Sequence, residues 1–139
     1  MDIELHVVVD GANVVGSRPD GWWRDRRGAA RRLAGSLVAL LSTDTSVLAV
    51  SLGQPEDRQL RVHLVLEGEA ARADDLPAHS RLDVVRAERD GDSAIIELVT
   101  LLDGQERVVV TADRDLRTRV EAAGAGTTGP GSFLNGLPG

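Results

Sequence analysis

The stretch IELHVVVDGAN, residues 3–13, decides the fold. Its apolar run from Ile3 to Val9 is rich in β-branched residues and stops at Asp10-Gly11, the pattern of a strand buried on both faces and followed by a turn. Such a strand needs a neighbour on each side and cover above and below, so it is expected at the centre of a sheet.

Outward from this strand, Ala30, Leu33, Leu37, Leu40 and Leu41 recur at helical spacing within Arg24 to Leu41, which predicts an amphipathic helix of about four to five turns. Residues 42–58 hold one short apolar stretch, Val47 to Leu52, that fits either a short strand or a helical extension. Leu60 to Leu66 alternates and reads as a strand ending at Glu67-Gly68. A polar stretch that reads as a loop leads to a short strand, Leu82 to Val85. After a loop carrying Glu88, Asp90 and Asp92, the run Ala94 to Leu102 is apolar nearly all round and predicts a buried helix closed by Asp103-Gly104. Arg107 to Thr111 is the next buried strand and Asp113 to Ala123 the next helix, with Gly124 as a left-handed cap. Ala125 to Thr128 is a weak strand, and residues 129–139 read as a tail with one small apolar patch. GAGTTG at 124–129 fits G-x-G-x-x-G, yet it follows a helix and not a strand, so it reads as a connector. Strands alternating with helices predict a single α/β domain over residues 1–139, with a parallel sheet of about four or five strands covered by helices on both faces.

Composition narrows the chemistry. The 139 residues carry a net charge of -6 and no cysteine, which excludes disulfides, thiolate zinc sites and a cysteine nucleophile. All 16 basic residues are arginine, so the P-loop and Schiff-base chemistry, both of which need lysine, are excluded as well. The start MDIELHVVVD has no basic leader, and no run of about 18 uncharged apolar residues occurs; a cytoplasmic protein with no membrane span is expected.

In parallel sheets, sites form beyond the carboxyl ends of the strands. Asp10, Glu67, Glu88, Asp90, Asp92, Asp113 and Asp115 all fall near such ends. Carboxylates gathered in one crevice repel unless a cation neutralises them, and hard oxygen ligands favour magnesium or manganese over zinc. Each acid taken singly also reads as a turn residue or helix cap, Asp92 and Asp113 as N-caps in particular; the coincidence of Asp10, Asp92 and Asp113 at one sheet edge favours a metal site. Asp115 serves equally as a partner for Arg119 four residues on. Glu67, Glu88, Asp90 and Glu97 are weaker candidates. Asn13 is either a turn residue or an amide able to fix a carboxylate or a metal-bound water.

Residues 17–32 hold six arginines against Asp20 and Asp25. Arginine forks grip phosphate and tryptophan stacks on bases, so Arg18, Trp22, Trp23, Arg24, Arg27 and Arg31 are candidates for contacting nucleic acid; a solvated helix face with one tryptophan stapled to the core is the alternative.

The segments VVVDGANVVG, GDSAIIELV and VVVTADRDL, in that order and spacing over most of the chain, resemble the NYN branch of the PIN-like nucleases, in particular bacterial members. The resemblance implies a compact α/β domain in which strand-end aspartates hold divalent metal for hydrolysis of RNA. By motif, Asp10 and Asn13 match the first-strand pair, Asp92 the acid opening the middle helix, Asp113 the acid after the later strand and Asp115 a variable extra acid. Bacterial relatives often read GDDA where this chain reads GDSA, so Ser93 stands in place of a carboxylate. The expected function is a magnesium- or manganese-dependent ribonuclease acting on single-stranded or structured RNA. The alternatives are a catalytically weak RNA-binding or partner-binding module and a metal-assisted nucleotide pyrophosphohydrolase. Monomer and homodimer are both open.

Overall fold

The structure is a computed structural model that describes residues 4–137; the expected start of the first strand at Ile3 lies outside them. Strand β1 (Leu5–Asp10) is buried along its whole length because a strand flanks it on each side. On one side β2 (Leu60–Leu66) pairs in the register Leu5 to Leu60 through Asp10 to Val65. On the other, β4 (Arg107–Val110) sets Val9 beside Val110. With β3 (Leu82–Arg86) and β5 (Gly126–Thr128) at the edges, five parallel strands run in the order β3-β2-β1-β4-β5. Chain order therefore reverses at β1, and the crevice that such a reversal opens lies at its carboxyl end.

Helices cover both faces, as parallel crossovers require. Helices α1 (Gly11–Gly16), α2 (Arg26–Ser42), α3 (Ser46–Ser51) and α6 (Pro130–Asn135) close over Leu5, Val7 and Val9 on one face. On the other face, α4 (Gly91–Leu101) and α5 (Arg114–Ala122) cover Val8, Val65 and Val109. The alternation of β1 side chains between these two cores is the period-2 geometry of a strand. No described helix is long and apolar enough to cross a membrane.

The expected α/β architecture is present, with differences that have local causes. Asp10-Gly11 is not a turn: Asp10 caps α1, accepting from the Asn13 backbone N–H at 3.3 Å. Gly11 is required there by close approach, since a β-carbon on it would stand 2.5 Å from the carbonyl oxygen of Val65. The open segment 42–58 contains helix α3, whose Leu48 and Ala49 are fully buried. The polar stretch after β2 opens with a 3-10 turn, Gly68–Arg72. Helix α4 is not buried all round; only Gly91, Ile95 and Val99 are covered, and Leu101 is 76% exposed, because a helix laid on a sheet buries one stripe. The apparent tail folds as α6, with Pro130 opening it and the chain's one phenylalanine, Phe133, fully buried. Gly124 does adopt the left-handed conformation, with φ 94°.

Candidate active site

Asp10 ends β1, 7% exposed, at the point where chain order reverses. Two donors hold its carboxylate: the Asn13 backbone N–H on Oδ1 and the Thr111 hydroxyl on Oδ2, the latter at 2.9 Å. Thr111, fully buried just past β4, also accepts the Asp113 backbone N–H at 3.2 Å. One hydroxyl thus joins the first-strand acid to the segment carrying the last. Asp113 caps α5, accepting from the Leu116 N–H at 3.0 Å, as its position predicted.

Asp92 does not take the cap role that was its alternative reading. The N-cap of α4 is Asp90, whose two carboxylate oxygens accept from the backbone N–H and the hydroxyl of Ser93. Asp92 lies in the first turn, where its carboxylate is free to face the crevice; a cap needs a non-helical residue just outside the helix, and two residues further in the backbone is already helical. Ser93 is exposed and spent on Asp90, so this position belongs to the cap.

Glu67, weighed lightly from sequence, stands with the strong candidates. It follows β2 and accepts the Gly91 N–H at the start of α4. The signal was present: Glu67 closes its strand as Asp10 closes β1. Burial pushes the Asp10 carboxyl above its ordinary range; the bonds from Thr111 and Asn13 oppose this, and the charges of Asp92 and Glu67 add to it. Asp92 is also raised, by burial first and then by the charges of Asp113, Glu67 and Asp90. Acids from other chain segments therefore act on Asp10 and Asp92 at the carboxyl end of the sheet. The set is hard oxygen throughout, which fits magnesium or manganese in kind. Among the described residues, no three acidic or imidazole side chains already converge as a ligand cage.

Asp115 is not part of this group: it is exposed and paired with Arg119 at 3.7 Å. The Asn13 side-chain oxygen accepts the Ala112 N–H at 2.9 Å, pinning α1 to the loop after β4 in place of fixing a carboxylate. Its amide hydrogens have no partner among the described residues.

The arginine segment divides. Arg27 is paired with Glu69 at 3.0 Å and Arg31 with Asp74 at 3.0 Å. Arg18 sits in a separate shallow depression with Asp20 and Arg32. Trp22 and Trp23 form a 3-10 turn with Arg24 and meet edge to face at 6.0 Å. Neither ring joins the core: Trp23 is 54% exposed, with Arg24 over it at 5.8 Å, while Trp22 is half-buried beneath Arg26 at 5.3 Å. Trp22 lines a cleft of about 330 Å³ with Arg26, Val15, Leu66, Glu67 and Arg89. Sequence reasoning missed Arg26 and Arg89 because a cleft wall made by segments far apart in the chain leaves no local pattern.

A five-stranded parallel sheet reversing at β1, with helices on both faces and acids at the strand ends, places the chain in the doubly wound class of α/β folds. Within it, the chain is similar to Rae1 (YacP) from Bacillus subtilis, with a TM-score of 0.68 at 19% identity over 97% of this chain and 72% of that one. A variant of the same protein aligns with a TM-score of 0.65 at 18% identity over 97% of this chain and 74% of that one. No family model matches the sequence, and no curated protein does. The likeness is one of fold.

Proposed function

We propose that the chain is a metal-dependent ribonuclease that hydrolyses RNA phosphodiester bonds at the crevice beyond β1. The observation that carries this reading is that Asp10, Glu67, Asp92 and Asp113 all follow or end elements at the carboxyl end of the sheet, with the Asp10 and Asp92 carboxyls pushed upward by burial and by their neighbours' charge. Placing uncompensated carboxylates together is costly, and a bound cation offsets that cost. The motif resemblance and the shared fold with Rae1 (YacP) support it.

Asp10, Asp92 and Asp113 would hold magnesium or manganese, which supplies an activated water and neutralises charge on the scissile phosphate. The chain's own groups do the positioning. Thr111 fixes the orientation of Asp10 and ties it to the start of α5. Gly91 holds Glu67 at the edge of the acids. Asn13, anchored through Ala112, keeps its amide hydrogens for a ligand oxygen. Asp115 stays outside the metal set, and RNA contact falls to Trp22, Trp23 and Arg24 more than to the paired Arg27 and Arg31.

Incubation with single-stranded RNA, structured RNA and nucleoside triphosphates, each with manganese and with chelator, tests the reading. Manganese-dependent RNA cleavage lost in Asp10→Asn and Asp92→Asn is expected. Hydrolysis of nucleotides alone would transfer the site to the pyrophosphohydrolase alternative, and cleavage unchanged in both variants would remove the acids from the mechanism.

A further inference from the structure

The cleft beside the acid cluster has three kinds of surface in one place. Ala12, Val15, Leu66 and Ala70 contribute an apolar lining, Trp22 an aromatic wall, and Arg26 and Arg89 two guanidiniums. Neither arginine has a hydrogen bond or ion pair among the described residues; Arg26 lies over the Trp22 ring, and the charge of Arg89 acts on Asp90 without contact. This sets them apart from Arg27, Arg31, Arg61, Arg81 and Arg119, which all pair with acids. The volume falls at the lower end of the range for small-ligand sites, about 300–1,000 Å³. Gly11 and Ala12 in the lining follow Asp10 directly, and Glu67 belongs to both cleft and acid cluster.

We propose that this cleft is a subsite for one nucleotide of the RNA strand, the base against Trp22 and the phosphate on Arg26 and Arg89. The pairing of chemistries is the argument. A flat π-face suits any base, an unpaired guanidinium suits a phosphate oxygen, and an apolar lining expels water from the base but offers no partner to a protein's polar backbone. Continuity with Asp10 through Gly11 and Ala12 sets the bound nucleotide next to the bond to be cut. The proposal rests on the ribonuclease reading for its RNA strand, but the binding it describes needs neither metal nor catalysis.

The chain has two tryptophans and no tyrosine, so Trp23→Phe leaves Trp22 as the sole strong fluorophore. Titration of that variant with AMP, GMP, CMP and UMP in the presence of chelator is expected to quench Trp22 saturably. Adding Arg26→Ala and Arg89→Ala should weaken binding about tenfold or more, the loss of roughly one charge-assisted contact. Adenosine and ribose 5-phosphate, each lacking one half of the contacts, should bind more weakly than AMP. Both arginines are exposed, so the double variant is expected to melt as its parent does. Absence of saturable quenching, or quenching unchanged by the two alanines, overturns the proposal. A protein that cleaves RNA yet shows either result loses the subsite alone, whereas one that binds AMP as described but cleaves no RNA keeps the subsite and loses the ribonuclease reading.

Discussion

The Thr111 hydroxyl donates to Asp10 at 2.9 Å while accepting the Asp113 N–H at 3.2 Å, so a single buried oxygen couples residues a hundred positions apart. Thr111→Val keeps the shape and removes both bonds. Stability should fall by about 1–3 kcal/mol, the usual cost of stranding buried polar groups. The Asp10 carboxyl, which Thr111 now draws down, should rise further, moving the acid limb of any pH–rate profile to higher pH. Thr111→Ser should restore most of both. Urea melts in which the valine variant equals the parent would show that water replaces the hydroxyl.

Asp90 and Asp92, two residues apart, should respond to neutralisation with opposite signs. Asp90 caps α4, so Asp90→Ala lowers the melting temperature. The Asp92 carboxyl is raised by burial and by neighbouring acids: its charged form is disfavoured in the folded state, and the resulting loss of stability is present at pH values above its folded pKa. Asp92→Asn removes that charge and should raise the metal-free melting temperature. Scanning calorimetry at neutral pH distinguishes the two; a drop with Asp92→Asn would mean the carboxylate serves the helix terminus after all.

Manganese should stabilise the wild-type chain by about 2.7 kcal/mol at a hundred times its dissociation constant, as any ligand bound only by the native state does. The Asp92→Asn variant should lose this increment. An equal metal-induced shift in that variant would place any bound cation elsewhere.

The arginines that already have acidic partners should matter less to RNA than those that do not. Replacing Arg24 and Arg26 by alanine should flatten the dependence of log K on log salt by about 1.4 for single-stranded RNA, at roughly 0.7 per phosphate contact. Replacing Arg27 and Arg31, held by Glu69 and Asp74, should change it little. Equal effects from the two pairs would show that those ion pairs open on binding.

His63 gives the fold an acid sensitivity away from the acid cluster. Its ring meets His6 at 2.9 Å, and His6 in turn meets Gln105 at 2.8 Å. Burial depresses the His63 pKa from 6.5 to about 4, against the pull of Asp83. With the folded value below the unfolded one, stability is full above pH 6.5 and falls as pH drops toward 4. His63→Gln should flatten that decline in chemical denaturation at stepped pH, and an unchanged slope would assign the acid loss to other groups.

Central elements were legible from sequence because their burial is written locally. β1 has water on neither face, and its unbroken Val7-Val8-Val9 run shows it. Leu60 to Leu66 was legible from its alternation, although the structure buries all of it but Arg61, and the strand opened by Arg107 was legible from its apolar run. Helix α6 was not: one phenylalanine among glycines and prolines carries no period, and its worth comes from the core that receives Phe133. The strand-end acids are legible in the sequence, and the cap role that was the alternative for Asp92 falls to Asp90, because Asp-Gly-Asp offers two caps and only the onset of helical backbone selects between them. Glu67 was underweighted because its nearness to Asp10 depends on β2 lying beside β1, a pairing of residues far apart in the chain.

The β1–β4 pairing also dictates when the acid cluster comes into being. Parallel strands pair only after the intervening chain has closed a long loop, a slow step in folding. Asp10 meets Thr111 across 101 residues, with β2, β3 and α4 all made in between. A chain arrested on its template before residue 107 has Asp10, Glu67 and Asp92 but neither the hydroxyl that orients the first nor the acid that completes the set. Full assembly of the cluster therefore waits for the last quarter of the molecule, from Arg107 onward, to be synthesised and docked.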